Sequence, residues 1–345
     1  MDFLQGIDAE MVSLQSIVPE PSEEDASDDT VEGRLSQSFY DRVAKRIAER
    51  LAECGTRVPV IAGFVGPCPG GLLAQVGRGY SDLTAALTAV GLGAAELQAW
   101  KLVDGIFTAD PRQVPTARLL ATISPEEAAE LTFYGARFLN PLTAEQALRV
   151  GIPVRIVNVT KPRQAGTVIT PAGRRGAPSP VPGQAAGEGE GNVVEPRGPT
   201  AVTIKHNVLV LSIKSNRKSV SHLFYSSIFG ALDRHSVIVD LVSTSEVHLS
   251  LAINGSKLRQ SVLNRLADEL KAVGEVTIQP GMACITLVGK AMTGQPGSFA
   301  RMFSCLTNIN LHMISVDSSQ INVSCIVDGD EALAALRLVH DKLLK

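Results

Sequence analysis

The stretch from Val76 to Arg112, VGRGYSDLTAALTAVGLGAAELQAWKLVDGIFTADPR, constrains the fold most, because turn, helix, strand and polar loop follow one another without a break. Gly77, Arg78 and Gly79 bring bare backbone amides and one guanidinium to a turn. Ser81 or Asp82 is expected to cap the next helix by accepting from its orphan N–H groups, and such a helix start attracts anions. The residues LTAALTAVGLGAAELQAW are small and apolar with no wide polar face, so this helix is expected to be packed on both sides, as in an α/β layer. Trp100 to Phe107 reads as a buried strand that runs out into Thr108, Ala109, Asp110, Pro111 and Arg112. Ligands of open α/β sheets bind at the carboxyl ends of strands, so the two polar loops are expected to converge on one polyanionic ligand. Taken singly, the same residues also fit an ordinary strand-to-helix turn, with Asp82 a helix cap, Phe107 a core residue and Arg112 a partner of Asp110.

Before this stretch, AEMVSLQSIVP fits one strand, and PEPSEEDASDDTVEGR is acidic and poor in large apolar residues, as a solvated loop would be. From Leu35 to Cys54 the residues Phe39, Val43, Ile47 and Leu51 recur at helical spacing, which predicts an amphipathic helix stopped at Gly55. VPVIAGFVG is β-branched and apolar throughout and reads as a buried, parallel-type strand. After it, Ser124 and Glu127 stand at capping-box spacing at the head of SPEEAAEL. Thr143 to Val150 reads as a short helix and IPVRIVNV as a strand. Strands alternating with helices imply a layered, largely parallel sheet.

Residues 170–200 are rich in Pro, Gly and Ala with no hydrophobic period, the mark of a linker. Beyond it two similar units follow. One runs NVLVLSIKS, SVSHLFYSSIFGALDR, VIVDLVSTSEVHLSLAI, KLRQSVLNRLADELKAVG and EVTIQP; the other runs ACITLVGKA, SFARMFSCL, LHMISVDSSQINVSCIV and EALAALRLVHDKLL. The first reads strand, helix, strand pair, helix, strand, which is ferredoxin-like, and the second is similar as far as its last helix.

The chain has 345 residues, enough for about two domains. Its formal charge of -3 gives no electrostatic reason to expect nucleic acid or an anionic membrane as partner. Cys54, Cys68, Cys284, Cys305 and Cys325 lie far apart with no CxxC pair, which argues against a zinc site and against a disulfide framework. No metal site is expected. Met1 opens an acidic-leaning segment without a basic, apolar leader, and no apolar run reaches the roughly 18 residues that cross a membrane, so a cytoplasmic location is expected.

GRGYSDLTAAL, VDGIFTADPRQVPTARLL, SPEEAAELTFYGARFLNPLT and GIPVRIVNV, in that order, resemble the aspartokinase family of amino-acid kinases in its fungal form. The paired C-terminal units, with VDLVSTSEVHLSL and SQINVSCIV as their family-like segments, resemble ACT domains. The resemblance runs from about Val58 to Lys345. It implies the C-terminal part of an αβα amino-acid-kinase sandwich followed by two ferredoxin-like ACT domains. The implied divisions are a partial kinase domain at 1–170, a linker at 171–200 and ACT domains at 201–280 and 281–345.

The activity the resemblance implies is transfer of the γ-phosphoryl group of ATP, with Mg²⁺, to the side-chain carboxylate of L-aspartate, the entry step to lysine, threonine and methionine or to a metabolite derived from the same precursor. Carried over by position, Arg78 would hold the α-carboxylate of aspartate, and Ser81 and Asp82 would contact substrate, Asp82 meeting its ammonium. Asp104, Phe107, Asp110 and Arg112 would line the nucleotide site, with Phe107 against adenine and Arg112 near phosphates. Ser221, Val239, Asp240 and Ser245 would bind an amino-acid effector. The ACT domains imply a homo-oligomer, or a hetero-oligomer with a full-length kinase.

The departures from the family pattern carry expectations of their own. Neither its Lys-Phe-Gly-Gly strand and loop nor its Ser-x-Gly-Glu helix occurs in the chain, so the N-terminal half of the kinase domain is expected to be lacking. Leu102 stands where fungal relatives carry an acidic residue, and Asn140 where the family has the His of a His-Pro motif. Leu223 and Tyr225 replace smaller residues near the effector site, so feedback control is expected to be impaired. The alternative implied reading is a non-catalytic, ACT-containing chain that pairs with a full-length aspartokinase.

Overall fold

The computed structural model describes residues 6–15, 17, 36–63, 79–135, 138–170, 198–216, 222–245, 247–316 and 318–345. The acidic segment, nearly all of the linker, Arg78 and Ser221 lie outside the described residues. The chain divides into two compact units, and the division does not follow chain order. The first draws on Met1–Ile106, Leu119–Thr132 and Arg137–Glu190, the second on Phe107–Arg118, Phe133–Ala136 and Gly191–Lys345.

In the first unit, β1 (Ala9–Val12) and β2 (Val58–Ile61) form a two-stranded parallel sheet. Between them runs α1 (Gln37–Ala52), whose Phe39, Val43, Ile47 and Leu51 are all buried, as the helical spacing predicts. Ser36 caps α1 through its Oγ, which accepts from Phe39 N at 3.2 Å. The expected burial of β2 is not observed: Val58 and Val60 are 50% and 43% exposed, and the strand covers only four residues. One face of so short a strand points away from α1, so a continuous apolar run did not translate into burial on both sides.

Helix α2 (Tyr80–Leu92) lies against α1 so tightly that a Cβ on Gly91 would stand 2.2 Å from the Ala44 carbonyl oxygen. Its small residues let the two backbones approach, and Leu83 and Leu87 share one core with Phe39, Val43 and Ile47. Gly93, left-handed at φ 57°, ends the helix.

A four-stranded sheet follows in the order β3 (Leu97–Lys101), β5 (Val154–Asn158), β6 (Thr167–Ile169), β4 (Thr122–Ile123). The β3–β5 and β4–β6 pairings are parallel and β5–β6 is antiparallel, so the sheet is mixed. The strand expected over Trp100–Phe107 instead ends at Lys101, with Trp100 47% and Leu102 79% exposed. Gly105 explains the stop. Its φ of 143° breaks the extended chain, and it lies so close to Thr167 that a Cβ would meet Oγ1 at 2.4 Å. Thr167 Oγ1 accepts from Ile106 N at 2.8 Å and donates to Leu120 O at 2.6 Å, tying this turn down.

Helix α3 (Pro125–Phe133) opens on the predicted capping box: Ser124 N donates to Glu127 Oε2 at 3.1 Å and Glu127 N to Ser124 Oγ at 3.3 Å. Helix α4 (Pro141–Arg149) is capped by Asn140, whose Oδ1 accepts from Leu142 N at 3.0 Å.

The second unit is built on two 15-residue strands, β7 (Ala201–Ser215) and β10 (Gly274–Val288), at the centre of a six-stranded antiparallel sheet. With β8 (Val239–Thr244), β9 (His248–Asn254), β11 (Leu311–Val316) and β12 (Asn322–Asp328), the order is β11-β12-β10-β7-β9-β8. Asn207 at φ 57° and Gly281 at φ 77° break each long strand into two halves. Val208–Ser215 pairs with β9 and with Gly274–Gln279, closing the first repeat, whose helices are α5 (His222–Arg234) and α6 (Gln260–Leu270). Ala201–Lys205 pairs instead with Cys284–Val288. The second repeat, with α7 (Ser298–Cys305) and α8 (Ala332–Leu343), thus takes its fourth strand from residues that precede the first repeat.

Strand alternation sorts the side chains into separate cores. Leu211, Ile213, Leu249 and Leu251 pack with α5 and α6, whereas Ala283, Ile285, Leu287 and Val323 pack with α7 and α8. The opposite faces supply a third core, in which Val208, Leu241, Cys284 and Met313 meet Tyr134.

Candidate functional site

In the first unit, polar groups gather at the carboxyl ends of the parallel strands β3 and β5 and at the start of α2. Lys101 closes β3 opposite Asn158, the last residue of β5. Its Nζ lies 2.8 and 2.7 Å from the two carboxylate oxygens of Asp82 in the first turn of α2. Asn158 Nδ2 donates to Asp104 Oδ1 at 2.6 Å, and Lys161 Nζ donates to Asp104 Oδ2 at 2.7 Å. The Lys161 ammonium, and after it the Asn158 amide, hold the Asp104 carboxyl below the usual carboxylate range. Lys161 remains 50% exposed, so its charge is open to an anion arriving from solvent.

The helix start differs from expectation. Gly79, at φ 101°, is the N-cap and makes no side-chain cap bond, so neither Ser81 nor Asp82 caps α2. Both fall inside the first turn, beyond the cap position, because the left-handed conformation available to Gly79 starts the helix early. Asp82 still complements the positive end of the helix dipole, and Ser81 is exposed. Gly79 also allows a close approach: a Cβ there would meet Asn140 Cβ at 3.2 Å.

The residues expected to line a nucleotide are divided between the units. Asp104 belongs to the first, whereas Phe107, Asp110 and Arg112 belong to the second. Arg112 Nε and Nη2 fork onto the Asp110 carboxylate at 3.0 and 2.7 Å, and the Arg112 side chain is 87% exposed. That guanidinium holds the Asp110 carboxyl below its ordinary range. Phe107 is half-buried.

Of the expected effector residues, Asp240 is the most constrained. Its carboxylate is 7% exposed and meets Lys205 Nζ at 2.7 Å, while Lys205 also lies over the Phe133 ring, 5.2 Å from its centroid. The second carboxylate oxygen, Asp240 Oδ2, is buried without a hydrogen-bond partner. Val239 is half-buried at the start of β8, and Ser245 is exposed at the turn into β9, where its N–H donates to His248 O at 2.9 Å. Leu223 is 68% exposed, and the Tyr225 ring packs edge-on to Phe224. The second unit also holds an open cleft of about 580 Å³ lined by Asn207, Leu209, Gly255, Ser256 and Gly281, among others; none of the expected site residues that are described lines it.

Sequence reasoning missed Lys101, Asn158, Lys161 and Lys205. The first three stand at or just after strand ends that face ligands in α/β sheets, a positional signal available once the strands are drawn. Lys205 carries no such signal, because its partner Asp240 is reached only through sheet pairing. Among the described residues no group of three or more His, Cys, Asp or Glu is arranged to hold a metal ion, and no helix is long and apolar enough to cross a membrane.

The pattern of the amino acid kinase family matches residues 9–158, and that of an ACT domain matches residues 285–343. The aspartokinase of Schizosaccharomyces pombe is 45% identical over 99% of this chain and 65% of its own length. That of Saccharomyces cerevisiae is 41% identical over 99% of this chain and 65% of its own. Among solved structures, E. coli aspartokinase III in complex with aspartate and ADP (R-state) shares 27% identity at a TM-score of 0.76, covering 99% of this chain and 71% of that one. The same enzyme in complex with lysine and aspartate (T-state) matches at a TM-score of 0.73.

This chain therefore spans 65% of the length of the fission-yeast relative, and the match extends over nearly all of it. These coverages give no support to the expectation that the N-terminal half of a kinase domain is lacking. An amino-acid-kinase α/β fold followed by a ferredoxin-like ACT region stands as expected. Matched over 99% of its length by fungal aspartokinases, and carrying the amino acid kinase and ACT domain patterns, the chain is similar throughout to aspartokinases.

Proposed function

We propose that this chain serves an aspartate kinase, moving the γ-phosphoryl group of ATP onto the side-chain carboxylate of L-aspartate to give 4-phospho-L-aspartate. The observation that carries the reading is the polar group at the carboxyl ends of β3 and β5, where Lys101, Asp104, Asn158 and Lys161 accompany the amino end of α2. The attacking carboxylate is already ionised at neutral pH, so no general base is needed. A bond forms from its oxygen to the γ-phosphorus while the bond to the bridging oxygen breaks, and ADP leaves. What the site must supply is positioning and positive charge.

In this reading Arg78 forks onto the α-carboxylate of aspartate, a planar task suited to guanidinium. Ser81 binds at the helix start, and Asp82 meets the substrate ammonium. Phe107 stacks on adenine, and Asp104 and Asp110 orient the cations Lys161 and Arg112 toward phosphates. Magnesium bound to ATP would supply further positive charge at the phosphates, a mode that needs few protein carboxylates.

The remaining assignments rest on the same reading. The chain works in the cytoplasm with a kinase region at 1–170, a linker at 171–200 and ACT regions at 201–280 and 281–345, and it assembles with further copies through the ACT regions. An amino-acid effector would bind near Ser221, Val239, Asp240 and Ser245. Lys205 already neutralises Asp240, so an effector ammonium must compete with it, and feedback is correspondingly weak.

The test is the purified chain with ATP, Mg²⁺ and L-aspartate, trapping the acyl phosphate with hydroxylamine. Turnover lost in Arg78→Ala and Asp82→Ala supports the reading. A folded chain that makes no hydroxamate overturns it, and lysine or threonine binding without turnover would favour a regulatory chain that pairs with a full-length kinase.

A further inference from the structure

Residues Phe107–Arg118 lie early in the chain but belong to the C-terminal unit, and their attachment there is dense. Ala109 and Val114 are 4% and 2% exposed, in one core with Val202, Ile285, Leu336 and Val339. Between these two anchors the chain rises into the tip Asp110-Pro111-Arg112. Val202 N donates to Thr108 O at 2.8 Å, and Thr108 N donates to Arg118 O at 2.9 Å. From the chain's last helix and its end, Arg337 Nε donates to Gln113 O at 2.9 Å, and Leu344 O accepts from Arg118 Nη2 at 2.7 Å.

The centre of this attachment is a buried polar contact. Thr108 Oγ1 and His340 Nε2 lie 2.9 Å apart, with Thr108 2% and His340 0% exposed. Thr108 Oγ1 also accepts from Arg118 N at 3.0 Å. The other ring nitrogen of His340, Nδ1, is buried without a hydrogen-bond partner, 3.8 Å from Asp341 Oδ1. Burial lowers the His340 pKa and so favours the neutral ring. An orphaned buried nitrogen is costly, so packing alone gives no reason for a histidine here.

We propose that His340 of α8 is a positioning residue for the Asp110–Arg112 tip, acting through Thr108. Because the tip carries the guanidinium offered to nucleotide phosphates, the inference rests on the function proposed above, and it deepens that function. The C-terminal helix of the ACT pair would set where a phosphate-binding arginine stands, and displacement of α8 would reach the nucleotide through one hydrogen bond.

The test compares His340→Leu, which fills the space without the bond, with His340→Gln, whose side-chain amide can restore a polar contact to Thr108. One readout is the rate of tryptic cleavage after Arg112 in the native full-length chain, which reports local opening of the tip. The other is the affinity for ATP by calorimetry. His340→Leu is expected to speed cleavage about tenfold and weaken ATP binding about fivefold, the size of effect expected for one lost buried hydrogen bond. His340→Gln should stay within about twofold of the parent in both. Parental cleavage in His340→Leu, or a larger effect in His340→Gln than in His340→Leu, overturns the proposal. Should His340→Leu fail to fold, Thr108→Val removes the same bond from the other side and is expected to give the same rise in cleavage; parental cleavage there overturns the proposal equally. If the parent chain binds no ATP, the proposed function falls, while the cleavage rates still decide whether His340 holds the tip.

Discussion

Lys101 at the end of β3 meets both carboxylate oxygens of Asp82 in the first turn of α2, joining a strand terminus to a helix start across 19 residues of chain. The two side chains are 29% and 23% exposed, so the pair is partly shielded from water. Lys101→Met should therefore cost about 1–2 kcal/mol, above the usual worth of a surface ion pair. A urea midpoint that does not move would mean that the pair is fully solvated.

The Lys161 contact makes a pH prediction with a definite sign. The folded-state pKa of Asp104 is depressed, so the stability it contributes is present above its unfolded pKa and lost as pH falls through the folded one. Lys161→Met should raise the Asp104 pKa and begin that loss at a higher pH. Carboxyl resonances followed by NMR through an acid titration would check it, and an unchanged Asp104 midpoint would refute it.

Arg155 forks onto Glu96 with contacts of 2.9 and 2.6 Å, and the side chains are 3% and 13% exposed. Removing one partner leaves the other charge buried, at a cost of about 3–5 kcal/mol. Glu96→Ala should show that loss in chemical denaturation, whereas replacing both residues by apolar ones of similar size should recover most of it.

Gly91 has no room for a side chain, since a Cβ would lie 2.2 Å from the Ala44 carbonyl oxygen. Gly91→Ala, which improves helix propensity elsewhere, should here destabilise by about 1–3 kcal/mol by forcing α1 and α2 apart. An increase in melting temperature would contradict the packing described.

Burial pushes the Cys284 thiol up to about 11 and the Cys325 thiol up to about 12. Both should resist a thiol reagent at pH 8, as should buried Cys54, while partly exposed Cys305 reacts. Mass spectrometry after labelling would read each site, and modification of Cys284 in the native chain would show that the sheet opens.

The features legible in the sequence were those whose cause lies within a few residues. The spacing of Phe39, Val43, Ile47 and Leu51 made α1, and the Ser124–Glu127 reciprocal bonds started α3. The hairpins β8–β9 and β11–β12 followed from adjacent apolar runs. Where a local rule met a distant neighbour it failed. The apolar run after Trp100 did not continue the strand, because Gly105 turns against Thr167. Gly79, rather than Ser81 or Asp82, begins α2, because a left-handed residue takes the cap position and closes on Asn140.

Taken by itself, the sequence determined most of the helices and several of the strands, the repeat in the C-terminal half and the kinase-like run from Val76 to Arg112, since periodicity, capping and turn chemistry act over one or two turns of chain. Only the tertiary structure decided partnership. It gave Ala201–Lys205 to the second repeat, Phe107–Arg118 to the C-terminal core, Lys205 to Asp240 and His340 to Thr108. The physical reason is that burial and hydrogen bonding reward whatever groups the folded chain brings together, and a separation of 232 positions between Thr108 and His340 leaves no local trace of their meeting.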